Sequence, residues 1–513
     1  MKVKTALISV TNKDGLLDLC RGLASMGIRM IATSGTASFL GSNGVKCESL
    51  ADAIGSSELM DGRVKTLHPK VFAGILALRN NPKHLEEAQA NGVPLIDMVV
   101  VNLYAFQNVI LKKNHTLDDA LENIDIGGVS LMRAASKNFR DVAILTDPAD
   151  YSAILNEMRS SDGQISEGTC RELAVKSFKQ TSAYDSVIAK YLDKPADFPK
   201  AWNLLIHKVN DLRYGENPHQ RSALYRFGHM TAPSVTNATQ LGGKELSYNN
   251  ILDTDAANEL VLEFNNAACT IVKHTNPCGV AIGTNHIEAF QKALKCDPKS
   301  AYGGIAAFNG KITAALADEI AKKENFFEVI IAPEYEEGAV STLKGKVKWG
   351  ANLRILQANY TDRKSGWVFR SVRDGLLVQS ADEELFTEFT PVVGKLHPNE
   401  EVDLKFAWVV AKHTKSNAIV IAKDGATIGI GQGQTSRVDS CWLAIQKARG
   451  KCKDAVAASD AFFPFPDGVE LLIDAGVRAI VHPGGSIRDE EVHEVARARG
   501  CKIVLTKMRH FKH

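Results

Sequence analysis

A lysine followed directly by a histidine and a threonine occurs twice in this chain. The copies are Val272-Lys273-His274-Thr275-Asn276-Pro277 and Ala411-Lys412-His413-Thr414-Lys415-Ser416-Asn417. An ammonium beside an imidazole is chemically pointed: the lysine can stabilise developing negative charge while the histidine moves a proton near neutral pH. The copies stand about 140 residues apart, and each runs into an apolar stretch, Cys278 to Ile282 and Ala418 to Ala422. The spacing predicts two copies of one supersecondary unit, each placing its cation and imidazole at a strand end.

A second set of reactive types lies nearer the N-terminus. Ser9, Thr11, Asn12 and Lys13 follow one predicted strand, and Ser34-Gly35-Thr36 opens a helix after the next. Hydroxyls, a lysine and the amides of a helix start make a phosphate cradle. A single Ser or Thr there would only cap its helix, but clusters at successive strand ends favour phosphate. No Gly-x-x-x-x-Gly-Lys or Gly-x-Gly-x-x-Gly follows the first strand, so nucleoside triphosphates and dinucleotides are not indicated. Arg63, Lys65, Thr66 and His68 sit in a loop bounded by Gly62 and Pro69, while Asn102 and Tyr104 end another strand. Ile124-Asp125-Ile126-Gly127-Gly128 leads into a helix whose exposed face carries Arg133 and Lys137. Lys65, Tyr104, Asp125 and Lys137 together supply the cations, phenol and carboxylate that proton transfer in a cyclisation needs.

The elements that must position these groups alternate. Residues 5–10, 28–33, 97–103 and 141–147 read as buried strands, with a helix at 16–26 and a long one at 167–192. That alternation predicts a doubly wound parallel sheet with ligands at the strand C-terminal ends. The Pro-bounded segment 193–199 reads as a linker, giving domains 1–197 and 198–513. The second domain reads as one large α/β domain, internally duplicated.

Net charge is +2, from 61 basic and 59 acidic residues, so nothing global favours nucleic acid or a membrane surface. No run of 18 apolar residues predicts a membrane span, and the N-terminal residues lack a signal-peptide pattern. Nine cysteines without a Cys-x-x-Cys pair predict reduced thiols and a cytoplasmic location, with neither disulfides nor a structural zinc.

Longer motifs carry a resemblance. Gly-Arg-Val-Lys-Thr-Leu-His-Pro, Asn-Leu-Tyr, Ile-Asp-Ile-Gly-Gly-Val, Leu-Arg-Tyr-Gly-Glu-Asn-Pro-His-Gln, Lys-His-Thr-Asn-Pro and Ser-Asp-Ala-Phe-Phe-Pro-Phe stand here in order. Over essentially Met1 to His513 the chain resembles the bifunctional AICAR transformylase/IMP cyclohydrolases of purine biosynthesis. The resemblance implies a methylglyoxal-synthase-like N-terminal domain that closes formyl-AICAR to IMP. It also implies two cytidine-deaminase-like C-terminal halves that transfer formyl from 10-formyltetrahydrofolate to AICAR. A homodimer without a catalytic metal is expected.

Carried over by motif, the cyclohydrolase site would hold the 5′-phosphate on Ser9, Thr11, Asn12, Lys13, Ser34, Gly35 and Thr36. Arg63, Lys65, Thr66, Val101, Asn102, Tyr104, Asp125, Ile126, Gly127 and Lys137 would hold and process the base. Animal members carry a cysteine where Val101 stands, so Val101 would contribute its backbone only. In the transferase, Lys273 and His274 would be the catalytic pair, with Asn417 orienting the carboxamide. Arg213, Tyr214, Gly303, Glu328, Arg437, Phe462 and Arg509 would contact AICAR. Glu328 is placed only by its distance from Ile330-Ile331-Ala332-Pro333, and animal members carry Asp there. Val438, Pro464, Asp467, Ser486 and Ile487 would lie along the folate. His413, in the second copy, is expected to be the structural counterpart of His274 and non-catalytic.

Two rival readings stand beside this. Pro277-Cys278 hints at a zinc deaminase, but Ala281 stands where the second cysteine is needed and no His-x-Glu pairs with it. A phosphate-binding regulatory module on a partner-binding scaffold is the other; the Lys65, Tyr104, Asp125 and Lys137 set argues against it.

Overall fold

The computed structural model describes residues 1–104, 106–193, 198–228, 234–359 and 366–513. They form two compact units, Met1–Leu205 and Ile206–His513. The expected boundary after 197 falls outside the described residues, as does most of the expected linker.

In the Met1–Leu205 unit, Met98-Val99-Val100-Val101 is buried at every position, which suits a parallel strand covered on both faces. Five strands take the order β3 (Glu48–Ser49), β2 (Arg29–Ala32), β1 (Thr5–Ser9), β4 (Met98–Val101), β5 (Ala143–Leu145). All four pairings are parallel. From β1 the chain builds outward first on one side and then on the other, so the crevice beyond the C-terminal ends of β1 and β4 is the switch point where ligands settle. The helix Gly127–Lys137 lies between β4 and β5 in sequence and runs back along the sheet. Its first turn therefore meets that crevice, and its last residue lies at the opposite edge. Two-residue β3 was not legible in the sequence.

The Ile206–His513 unit is built on twelve strands among the described residues. Their order is β16 (Thr390–Val393), β21 (Lys502–Leu505), β20 (Ala479–His482), β19 (Val456–Ser459), β17 (Ile419–Lys423), β18 (Ala426–Gly431), β10 (Asn276–Gly283), β9 (Ala267–Lys273), β11 (Gly304–Phe308), β12 (Phe327–Ala332), β13 (Arg354–Gln357), β8 (Thr239–Gly242). Read outward from the β10–β18 seam, the two directions match strand for strand in order and in parallel or antiparallel sense. The domain is a duplication about a pseudo-two-fold axis. The seam itself is antiparallel, and the Thr427 hydroxyl bonds both Val280 N (2.9 Å) and Val280 O (3.2 Å) across it. Two antiparallel ribbons, β6 (Ile206–Leu212) with β7 (Ser222–Phe227) and β14 (Trp367–Val372) with β15 (Gly375–Ser380), complete the unit.

The duplication corrects the reading of the repeated tetrad. Lys273 ends β9, and His274-Thr275 form the turn into β10. Lys412 instead ends the helix Pro398–Lys412, and His413 caps it. The true counterpart of the first turn is Lys423-Asp424-Gly425, which follows it by 150 positions and joins β17 to β18. Lys273 Nζ donates to Tyr302 O at 2.9 Å and Lys423 Nζ to Lys453 O at 3.0 Å, the same contact in both halves. A tetrad carries neither a strand period nor a helix period, so its recurrence could not report which element holds it. His413 is the positional partner of Glu263, not of His274, and the two meet at 2.9 Å.

Among the described residues no helix is long and apolar enough to cross a membrane.

Candidate functional site

At the crevice of the first unit, the loop after β1 is shaped by its neighbours. Thr11 N and Asn12 N both donate to Asn102 Oδ1, at 2.6 and 3.0 Å, and Asn102 Nδ2 returns a bond to Asn12 O at 2.9 Å. Both amides are thus held by the side chain that follows β4. Lys13 Nζ donates to Val10 O and, at 3.2 Å, to Thr36 Oγ1. Burial holds the Lys13 ammonium below the usual lysine value, so an anion there would restore what desolvation takes away. The helix Ser34–Ser42 starts beside it, and its N-cap Thr33 makes no side-chain capping bond. Thr33 Oγ1 reaches Ser9 Oγ at 3.4 Å instead. Ser34 Oγ donates to Glu58, and Arg63 pairs with Glu122.

Asp125 is the hub of the neighbouring group. Its carboxylate accepts Gly128 N at 2.7 Å and Tyr104 N at 3.3 Å, which ties the first turn of the Gly127–Lys137 helix to the end of β4. Burial raises the Asp125 carboxyl above the ordinary aspartate value; the two amides and the Lys65 charge offset part of that rise. A Cβ on Gly127 would meet Thr66 Oγ1 at 2.6 Å, so the Arg63–Thr66 loop presses onto the same helix start. Val101 is buried at the end of β4 and Ile126 is exposed. Sequence reasoning missed Tyr184, from the helix Glu167–Leu192, whose hydroxyl accepts Asp125 N at 2.8 Å and donates to Asn123 O at 3.2 Å. No local signal marks it. Lys137 is not brought to this group within the unit. Ten residue steps of helix separate it from Gly127, a rise of about 15 Å, and it emerges beside Asn138, which bonds Ile75 O and Ala77 O.

In the second unit the nominated residues line one edge of the large sheet. Lys273 Nζ reaches Tyr302 O, and a Cβ on Gly303 (φ 76°) would stand 3.8 Å from it. Glu328, near the start of β12, accepts Asn250 Nδ2 at 2.8 Å and pairs with Arg354 at 3.6 Å. Arg213 and Tyr214, with the guanidinium 5.2 Å from the ring, also act on Arg354. From the other half, Asn417 Oδ1 accepts Arg437 Nη2 at 2.6 Å, and Asn417 Nδ2 donates to Gln434 O at 3.0 Å. One lone pair and one N–H of that amide remain for a ligand. Asn276 bridges the two groups: it faces Lys273 across the hairpin, and its Oδ1 accepts Lys415 N at 3.2 Å.

Arg437 departs from its expected role. It is buried beneath Asn417, with its other nitrogen on Ser459 and Asp460, so it holds Asn417 rather than offering itself to a ligand. Phe462, Pro464 and Asp467 lie in the loop after β19 and at the following helix start. Ser486 and Ile487 lie in the loop after β20, Ile487 fully exposed. Arg488 over the Phe465 ring at 4.9 Å joins these two loops. Val438 is the second residue of the helix Arg437–Ala448, and Arg509 lies over Phe511 in the C-terminal segment. A cleft of about 600 Å³ opens beside Lys273, where Lys299, Lys447 and Arg449 surround Asp297. Lys299, Lys447 and Arg449 were missed because they come from two helices, Pro298–Ala301 and the end of Arg437–Ala448, far in sequence from Lys273 and from each other. The sequence spacing gave no reason to group them. Among the described residues no cluster of His, Cys, Asp and Glu has the arrangement of a metal site.

Comparison with known proteins gives the family. A family model described as AICARFT/IMPCHase bienzyme matches residues 135–447, more than half of the chain. A model described as MGS-like domain matches residues 15–130. Among solved structures, one described as the crystal structure of ForH is 35% identical over 37% of this chain and 100% of its own, with a TM-score of 0.34. That score is too low to argue a shared fold.

Proposed function

Because the chain belongs to the AICARFT/IMPCHase bienzyme family, a family of bifunctional purine-biosynthesis enzymes, we propose how its two units divide the formyl transfer and the ring closure. The family match over residues 135–447 is the observation that carries the activity. The gathering of Lys65, Tyr104 and Asp125 at one crevice, and of Lys273, His274 and Asn417 along one sheet edge, supports the division.

The Ile206–His513 unit takes AICAR and the formyl donor 10-formyltetrahydrofolate. The AICAR 5-amine is conjugated with its ring and carboxamide and is a poor nucleophile. As its nitrogen bonds the formyl carbon, His274 removes a proton, directly or through the carboxamide that Asn417 orients. Lys273 stabilises the oxyanion, and the folate nitrogen leaves with a proton.

The Met1–Leu205 unit closes formyl-AICAR. The carboxamide nitrogen attacks the formyl carbon, and water departs. Asp125, its basicity raised by burial, takes one carboxamide proton and the formamido nitrogen gives up its own as the C=N bond forms; Lys65 and Tyr104 relay the two protons to the formyl oxygen, which departs as water. The half-buried, anion-seeking Lys13 and the uncapped start of Ser34–Ser42 hold the 5′-phosphate. This closure is built on Lys65, Tyr104 and Asp125, with Lys137 outside it.

A homodimer belongs to the same reading. The two ribbons turn Ile206, Val209, Val368, Leu376 and Leu377 to the surface, and such apolar ribbons gain from cover. The deciding experiment is absorbance-monitored conversion of AICAR and 10-formyltetrahydrofolate to IMP by the purified chain, without added metal. A fragment ending at Leu205 is expected to close supplied formyl-AICAR unaided. A folded but inert fragment would refute the division.

A further inference from the structure

His274 and Thr275 form a two-residue turn in which both backbones are left-handed, with φ of 55° and 61°. Hairpins of this kind favour Asn or Gly at both positions. A β-branched threonine at positive φ is unfavourable and persists only where its surroundings impose the conformation. Asp253, in the helix Tyr248–Val261, supplies the constraint. Its two carboxylate oxygens accept His274 N at 3.0 Å and Thr275 N at 2.6 Å. The His274 carbonyl is held as well, by Thr275 Oγ1 at 2.7 Å and Asn276 Nδ2 at 3.2 Å.

The duplication provides an internal comparison. At the mirror turn Asp403 accepts Asp424 N at 2.8 Å and Gly425 N at 2.7 Å, where φ is 53° and 69°. That turn is Asp-Gly, a pair that takes the conformation on its own. The same brace therefore supports a turn that needs little help in one half and opposes an unfavourable sequence in the other. We propose that Asp253 is a positioning residue for formyl transfer: it forces the His274-Thr275 turn and so aims the imidazole. This rests on the reading of His274 as the base of that reaction.

The test compares Asp253→Asn with Asp403→Asn in the full chain. Replacing a carboxylate oxygen by an amide nitrogen places a donor against a turn N–H. Misplacing a reacting group by about 1 Å costs on the order of 100-fold, so Asp253→Asn is expected to lower kcat for formyl transfer by about 10- to 100-fold. The KM for AICAR should move far less, and closure of supplied formyl-AICAR should be unchanged. Asp403→Asn should shift the unfolding midpoint similarly yet leave kcat near wild type. Adding Thr275→Gly to Asp253→Asn supplies a residue that accepts positive φ and should restore part of kcat, as should Asp253→Glu. Equal losses in kcat from the two Asn variants, or a folded Asp253→Asn chain with wild-type kcat, would overturn the positioning role. His274→Ala is measured alongside. Wild-type transfer by that variant would sink the reading of His274 itself, whereas its inactivity beside an unaffected Asp253→Asn would sink only the brace.

Discussion

Individual residues here act through what they are fastened to. Asp125 is a candidate base because burial lifts its carboxyl, while two amides and Lys65 keep that rise in check. Ring closure should therefore lose rate on the acid side at a higher pH than an ordinary aspartate would set. Asp125→Asn should remove about 100-fold or more of kcat and abolish that acid limb, read from pH–rate profiles on supplied formyl-AICAR. A surviving limb would assign it to another group. Glu263 shows the same logic applied to stability. Burial alone would raise its carboxyl, but His413 and Lys412 outweigh burial and hold it at about 2. Burial pushes the His413 imidazole the other way, below its usual value. Since the folded Glu263 value lies below that of the unfolded chain, its contribution is complete above about pH 5 and drains as pH falls through about 2. Lys412 is only 4% exposed, so Glu263→Gln strands a buried cation and should cost about 3–5 kcal/mol at pH 7. Urea titrations at pH 7 and pH 3 should show that cost shrinking in acid; equal costs at both would contradict the pairing.

At the scale of elements, the two halves of the large domain press a helix onto a hairpin in the same way. A Cβ on Gly279 would meet Ala293 O at 2.0 Å, and one on Gly429, 150 positions later, would meet Ala444 O at 2.1 Å. Both obstacles are backbone, which cannot step aside as a side-chain tip can. Gly429→Ala should destabilise the chain by about 1–3 kcal/mol, visible as a lowered urea midpoint. An unchanged midpoint would mean that the helix lifts at no cost. The same scale explains Lys137. Its helix was legible from apolar spacing, and it does span Gly127–Lys137, but a helix that starts at one sheet edge must end at the other. The sequence set Lys137 beside Asp125 by residue type and by the family resemblance, neither of which carries the length of the helix between them.

At the scale of the whole chain, the duplicated domain contributes complementary parts to one edge. Lys273 and His274 come from the turn end of β9, and Asn417 from the entry to β17; a two-fold relation brings those unlike ends to the same edge. Asn276 and Lys415 join them inside a single chain. Mixing a His274→Ala chain with an Asn417→Ala chain, under verified subunit exchange, is therefore expected to restore no formyl transfer. Recovery would mean that the two residues meet across chains.

Four of the five strands of the first core (all but β3), its polar strand ends and the long motifs were legible because each is local: apolar runs of strand length, Gly- and Pro-bounded loops, and residue types in contiguous order. The duplication was legible too, though through the wrong evidence. The repeated Lys-His-Thr motif sits on a turn in one half and a helix end in the other, while the true counterparts, His274-Thr275 and Asp424-Gly425, share no side-chain type. Their kinship lies in backbone conformation and in the carboxylates that hold it, and neither leaves a mark along the chain. Tyr184 beneath Asp125, Arg437 buried behind Asn417, and Lys299, Lys447 and Arg449 beside Lys273 were likewise settled only by tertiary structure. They are brought to their places by elements distant in sequence from the groups they meet, and sequence spacing holds no record of which helix end meets which sheet edge.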